Sequence, residues 1–103
     1  MFDIRAYQND LERLCQQYNV QELAVFGSAL RDDFEPERSD IDFAVTFKPM
    51  EPRQHAQNYF ALIESLEALL GRKVDLLSPN AIRNPYMKRN IEKTQERVYV
   101  ASG

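Results

Sequence analysis

The sequence is poor in the residues that build disulfide frameworks, thiolate metal sites and membrane anchors. Its 103 residues include one cysteine and one histidine. The single cysteine, Cys15, excludes an internal disulfide and a multi-cysteine metal site. His55 has no companion at ligand spacing, which favours a solvated or capping role. No apolar run approaches the length of a membrane-spanning helix. The N-terminus MFDIRAYQND lacks the basic segment followed by an apolar segment that characterises a secretory signal. We therefore expect a cytoplasmic protein without a membrane partner.

Composition and charge limit the size and the partners of the protein. With 44% hydrophobic residues, residues 1–103 can bury one modest core, which predicts a single domain. The net charge of −3 is unevenly distributed, since residues 79–103 carry five basic against two acidic side chains. An acidic body with a basic end is not typical of a nucleic-acid binder. The basic end could meet an acidic partner or ligand phosphates, or it could simply be the solvated face of a helix.

Apolar residues recur at helical spacing in two segments. Residues 3–18 carry them at alternating intervals of three and four, which predicts an amphipathic helix. Cys15 falls on the apolar side of this helix and is expected in the core rather than as a nucleophile. A second stripe follows the proline-containing loop 48–53 and runs to Leu70, where Gly71 is placed to end the helix. Asn84-Pro85 predicts the start of a third helix, over about 85–94.

Short apolar segments predict strands at 22–26, 41–47 and 73–77, and residues 97–101 could add a fourth. Segment 41–47 alternates apolar and polar residues, so Asp42 lies on the face opposite the apolar side chains. The short loop between the first two strands favours an antiparallel pair, whereas a helix precedes the third strand. This order predicts a small α+β domain with a single mixed β-sheet and helices packed on one face.

The stretch FGSALRDDFEPERSDID, residues 26–42, crowds six carboxylates behind a Gly-Ser pair. Asp40 and Asp42 are two positions apart on a strand and therefore share a face. Oxygen ligands at this spacing suit one or two Mg²⁺ ions, although an isolated Asp-x-Asp more often starts a surface strand. Gly27 and Ser28 can bring backbone amides close to a phosphate group, but Gly-Ser is also a common turn.

Asp75 strengthens the site hypothesis from outside this stretch. It stands among apolar residues in KVDLL, and if strand 73–77 lies beside strand 41–47, its carboxylate can face the aspartate pair. A buried aspartate is costly unless a metal or a proton transfer satisfies it. The structural alternatives are a partner such as Arg72 or exposure at a sheet edge.

Taken together, FGSALRDDFEPERSDID resembles the Gly-Ser … Asp-x-Asp motif of the DNA polymerase β-like nucleotidyltransferases. The short length and the flanking segments ELAVF, KVDLLSP and NPYMKRNI resemble the minimal nucleotidyltransferases that pair with HEPN toxins. The likeness covers about residues 15–100. Eleven residues separate Ser28 from Asp40, one more than is usual in the family.

This resemblance implies a polymerase β-like fold and a role for each motif residue. Gly27 and Ser28 would hold the triphosphate of ATP. Asp40 and Asp42 would ligate two Mg²⁺ ions, and Asp75 would be a third ligand or the base for the incoming hydroxyl. The reaction would transfer AMP from ATP to a tyrosine hydroxyl of a HEPN ribonuclease toxin. This AMPylation would silence the toxin and make the chain the antitoxin of a hetero-oligomeric toxin–antitoxin system.

Two other functions remain open on the sequence alone. The chain could be a non-catalytic antitoxin that blocks the toxin by binding, or a small-molecule nucleotidyltransferase. The sheet and site take up nearly all of the sequence, which favours an acceptor supplied by a partner chain. Tyr86 and Tyr99 are candidate contacts with that partner, unless both pack in the core. Arg31 and Arg38 could reach the triphosphate or neutralise the acidic loop.

Overall fold

A computed structural model describes residues 4–26, 41–78, 85–86, 89 and 95–101. Within these residues the chain forms a 3₁₀ turn, two α-helices and four β-strands. In chain order they are the 3₁₀ turn Ile4–Tyr7, α1 Gln8–Gln17, β1 Val20–Phe26, β2 Ile41–Phe47, α2 Pro52–Leu70, β3 Val74–Leu77 and β4 Glu96–Val100. The predicted order of helices and strands is confirmed for this part of the chain. The helix expected over about 85–94 falls mostly outside the described residues, although positions 85, 86 and 89 have helical backbone.

The first predicted helix is divided into the 3₁₀ turn and α1. Leu11 and Cys15 are fully buried, one helical turn apart, as the apolar stripe predicts. The N–H of Tyr18 donates to the carbonyl of Leu14 at 3.0 Å at the end of α1. Asn19 follows with φ of 58°, a left-handed conformation that asparagine adopts more readily than most residues. This turn directs the chain into β1, which begins two residues earlier than predicted.

The sequence defines both ends of α2. Pro52 occupies its first turn, where the missing N–H costs nothing. Gly71 ends it with φ of 68° and donates its N–H to the carbonyl of Glu67 at 2.9 Å. Along one side of α2, Leu62, Leu66 and Leu70 recur every fourth residue and are buried. This side therefore forms the surface that packs on the sheet.

The sheet has the strand order β3-β2-β1-β4. β1 lies antiparallel to β2 and to β4, whereas β2 and β3 are parallel. The predicted antiparallel pairing of the first two strands is confirmed, and α2 supplies the crossover that a parallel β2–β3 pair needs.

Both helices pack on one face of this sheet and form one hydrophobic core with it. The apolar positions of β2 point into that core, and Asp42 and Thr46 point to the opposite face, as the alternation predicts. The core residues are Ile4, Leu11, Cys15, Val20, Leu23, Val25, Ile41, Phe43, Val45, Leu62, Leu66, Leu70, Val74, Leu76 and Val98. The predicted α+β architecture, a mixed sheet with helices on one face, is confirmed.

In the part of the chain that the structure describes, neither α-helix has the length and apolar character needed to cross a bilayer.

Candidate active site

Asp42 and Asp75 are brought together by the parallel pairing of β2 and β3. They are Cα partners in the ladder, and side chains of partners in a parallel pair project to the same face. The adjacent pairs are Ile41 with Val74 and Phe43 with Leu76, and these apolar residues are buried against the helices. Because side chains alternate along a strand, core packing places both carboxylates on the face away from the helices.

The two carboxylates differ in their access to solvent. Asp42 is partly buried, whereas Asp75 on β3, an outer strand of the sheet that the described residues form, is exposed. Exposure at the sheet edge, one of the alternatives raised by the sequence, therefore explains how an aspartate is tolerated in KVDLL, and a buried-charge penalty does not apply. The predicted proximity to Asp42 is nevertheless what the strand register shows.

Three of the five predicted site residues lie outside the described residues, namely Gly27, Ser28 and Asp40. Arg31 and Arg38 lie outside them as well. Among residues that the structure does describe, no group of three or more His, Cys, Asp or Glu side chains is placed to hold a metal. β1 ends at Phe26, the Cα partner of Asp42, so the end of this strand and the carboxylate pair lie at the same end of the sheet. The phosphate-binding role of Gly27 and Ser28 stays a prediction.

Side chains of α2 contact the backbone of β3 on both sides of Asp75. The N–H of Val74 donates to Oε2 of Glu67 at 3.1 Å, and the hydroxyl of Tyr59 donates to the carbonyl of Leu76 at 2.5 Å. The sequence offers only a weak signal for this contact: Tyr59 falls in the apolar stripe that runs to Leu70, and Glu67 belongs to no motif. Helical spacing puts both on a common side of α2, but only the structure shows that this side reaches β3.

Cys15 is not a candidate nucleophile, as predicted. Its side chain is fully buried. Burial in the core, followed by the nearby charge of Glu12, raises the pKa of the thiol from 9.0 to about 12. A thiol with this pKa is protonated at neutral pH and inert as a nucleophile or metal ligand.

His55 is exposed near the start of α2, in agreement with the predicted solvated role. Its ring lies edge-on to Phe47, with ring centroids 4.9 Å apart and an interplanar angle of 72°. This packing gives the imidazole a structural contact. No chemistry need be assigned to it.

Comparison with known proteins identifies the class of the domain. The profile of the family described as Nucleotidyltransferase domain matches residues 10–98. A protein of Methanocaldococcus jannaschii, named as a candidate protein adenylyltransferase, is 41% identical over 87 residues, covering 84% of this chain and 83% of its own length. The protein adenylyltransferase MntA of Thermococcus cleftensis is 34% identical over 89 residues, covering 86% of this chain and 83% of its own length.

Solved structures share the fold. One, of a candidate minimal nucleotidyltransferase, has a TM-score of 0.75 at 27% identity and covers 90% of each chain. A toxin–antitoxin crystal structure with AMP-PNP has a TM-score of 0.66 at 18% identity, covering 92% of this chain and 74% of that chain. A complex of tri-AMPylated Shewanella oneidensis HEPN toxin with MNT antitoxin has a TM-score of 0.63 at 17% identity, covering 94% and 72%. The chain therefore belongs to the nucleotidyltransferase domain family and is an enzyme of that class, with relatives named protein adenylyltransferases.

Proposed function

We propose that this chain is the antitoxin of a toxin–antitoxin pair and transfers AMP from ATP, with Mg²⁺, to a tyrosine hydroxyl of a HEPN ribonuclease toxin. The observation that carries the proposal is the pairing of Asp42 with Asp75 on one face of a nucleotidyltransferase sheet. Its relatives are named protein adenylyltransferases, which supports a protein acceptor. The structures of the same fold in toxin–antitoxin complexes support a HEPN partner.

The carboxylate pair has the chemistry that Mg²⁺ requires. Neighbouring strands lie about 4.8 Å apart, so paired aspartates on one face can direct hard oxygen ligands at a shared ion. We assign Asp42 and Asp75 to this role, together with Asp40, which lies outside the described residues. Mg²⁺ bound there would neutralise charge on the triphosphate.

The remaining roles concern the triphosphate and the acceptor hydroxyl. We assign Gly27 and Ser28 to the triphosphate. Asp75 is exposed and can be reached by an acceptor as well as by an ion, so it can also take the proton of the tyrosine hydroxyl. The new bond joins the tyrosine oxygen to the α-phosphorus of ATP, the bond from that phosphorus to its bridging oxygen breaks, and pyrophosphate leaves. Positioning of the two reactants supplies much of the rate enhancement.

The partner surface is proposed at the C-terminal end of the described chain. Tyr86 is 78% exposed and is retained as a contact. Tyr99 is half-buried and packs against the core. For Tyr99, core packing is therefore favoured over contact with a partner, the two alternatives that the sequence left open. Arg97 is also exposed in this region, where it pairs with Glu22.

The test is neutralisation of a HEPN ribonuclease toxin expressed together with this chain, with and without the carboxylates. Cells expressing this toxin would receive the wild-type chain, the Asp42→Asn/Asp75→Asn variant or the Glu64→Gln control on α2. We expect growth with wild type and Glu64→Gln, and arrest with the double variant, although a pull-down shows that it still binds the toxin. Full neutralisation by the double variant would instead favour a non-catalytic antitoxin.

A further inference from the structure

The backbone of β3 points away from β2 at Val74 and Leu76, the residues that flank Asp75. The carbonyl of Lys73 accepts a hydrogen bond from the N–H of Ile41 on β2 at 3.1 Å. Because backbone groups alternate in direction along a strand, Asp75 also turns its N–H and carbonyl toward β2. In the described sheet β3 has a neighbouring strand on one side. Its outer edge therefore presents backbone groups that need other partners.

Side chains of α2 supply two of those partners. Oε2 of Glu67 accepts from the Val74 N–H at 3.1 Å, and the Tyr59 hydroxyl donates to the Leu76 carbonyl at 2.5 Å, both in partly buried positions. One of these bonds lies on each side of Asp75 along the strand. The helix thus takes the place of a neighbouring strand at the positions that bracket this carboxylate.

We propose that Tyr59 and Glu67 are positioning residues that hold Asp75 opposite Asp42, an inference that rests on the proposed function of the carboxylate pair. β3 has only four residues, so its ladder with β2 contains few hydrogen bonds of its own. Burial of the apolar residues of β3 fixes which face Asp75 occupies. The two hydrogen bonds from α2 fix the position of β3 along its own axis and its distance from β2.

The geometry of the carboxylate pair should depend on these two bonds. A metal ligand that shifts by a fraction of an ångström weakens the site, and loss of supporting contacts typically costs 10–100-fold in metal affinity or activity. Neither Tyr59 nor Glu67 is proposed to touch the substrate. Their effect acts through Asp75.

The variants separate this role from a general contribution to folding. Tyr59→Phe removes the hydroxyl and keeps the ring, and Glu67→Leu removes the acceptor at similar volume. Glu67→Gln keeps an oxygen acceptor and should restore the wild-type behaviour. Ser65→Ala is the matched control, because Ser65 lies on the same helix and shares a 3.2 Å hydrogen bond with the hydroxyl of Tyr18, away from β3.

The first measurement is the Mg²⁺ concentration that gives half-maximal AMP transfer to the toxin. We expect it to rise about tenfold in Tyr59→Phe and Glu67→Leu, and to stay at the wild-type value in Glu67→Gln and Ser65→Ala. Asp75→Asn is run beside them. If Asp75→Asn transfers AMP normally, the proposed function is wrong; if it is inactive while Tyr59→Phe and Glu67→Leu keep the wild-type Mg²⁺ requirement, only the positioning inference is wrong.

The second measurement is amide hydrogen exchange at Val74 and does not depend on activity. Exchange reports local opening of the hydrogen bond that an amide makes. We expect faster exchange in Glu67→Leu and wild-type exchange in Glu67→Gln and Ser65→Ala. Unchanged exchange in Glu67→Leu would overturn the inference, and so would faster exchange without any change in the Mg²⁺ requirement.

Discussion

Asp42 and Asp75 are Cα partners across the parallel β2–β3 pair, although the whole of α2 separates them along the chain. The core on the other face of the sheet enforces this relationship. A slip of β3 by one residue against β2 would turn Asp75 inward and turn Val74 and Leu76 outward. The residues that pack the core and the residues assigned to chemistry are therefore alternate positions of the same strands.

Replacement of Asp75 should separate activity from stability. Asp75→Asn removes a charge from an exposed side chain, so we expect the free energy of unfolding to change by less than about 0.5 kcal/mol. AMP transfer should fall by about a hundredfold or more, because the variant lacks the proposed Mg²⁺ ligand and acceptor of the tyrosine proton. Glu64→Gln, an exposed carboxylate of α2, is the control for both measurements. Loss of folding in Asp75→Asn would contradict the assignment of this residue to chemistry.

Phe43 should be among the positions where truncation costs most stability. It is fully buried beside Asp42 on β2, whereas Phe60 on α2 is 64% exposed. Phe43→Ala should lower the free energy of unfolding by about 3–5 kcal/mol through lost burial and a residual cavity. Phe60→Ala should change it by less than about 0.5 kcal/mol. Urea titrations measure both values, provided that the slope of the free energy of unfolding against urea concentration is the same in the variants and the wild type. Similar losses of stability in the two variants would disprove the packing described for β2.

The buried thiol of Cys15 should make stability decline in alkaline solution. Its pKa is raised from 9.0 to about 12 in the fold, so above pH 9 the unfolded chain has lost a proton that the folded chain keeps. Ionisation of this thiol therefore leaves the free energy of unfolding unchanged below pH 9 and lowers it progressively as the pH rises toward 12. Denaturation of wild type and Cys15→Ala over this range isolates the effect, since the other titrating groups are common to both. Parallel stability curves would show that the thiol ionises equally in both states.

Much of the fold could be predicted because the periodic patterns agree with the core. The stripe Leu62, Leu66 and Leu70 and the alternation in β2 each have one dominant apolar face. The start of β1 was predicted less well, since Val20 precedes two polar residues and its burial is decided by packing. The first helix was predicted as continuous, yet its first turn is 3₁₀.

The site could be predicted only in part. The proximity of Asp42 and Asp75 could be predicted only on the condition that strand 73–77 lies beside strand 41–47, because loop and helix lengths do not specify the order of strands in a sheet. The exposure of Asp75 depends on β3 being an outer strand of the described sheet, which residue spacing does not specify. The contacts of Tyr59 and Glu67 with β3 depend on how α2 crosses the sheet, and no local pattern encodes that angle.

The ion pair between Arg97 of β4 and Glu22 of β1 should contribute little and should depend on salt. Arg97 Nε lies 2.6 Å from Glu22 Oε1, with the two side chains 66% and 33% exposed. Solvent screening limits such a pair to about 1 kcal/mol or less. A double-mutant cycle with Glu22→Gln and Arg97→Gln should give a coupling energy that shrinks as NaCl is added. A coupling that is insensitive to salt would mean that the pair is more buried than the structure shows.

The most direct measurement is transfer of label from α-labelled ATP to a purified HEPN ribonuclease toxin. We expect the wild-type chain with Mg²⁺ to place AMP on a tyrosine of this toxin, as mass spectrometry of its peptides would show. We expect no label when EDTA is added or when a folded Asp42→Ala/Asp75→Ala variant replaces the wild type. Label that persists at the wild-type level with that double variant would contradict the assignment of the Asp42–Asp75 pair as the catalytic site.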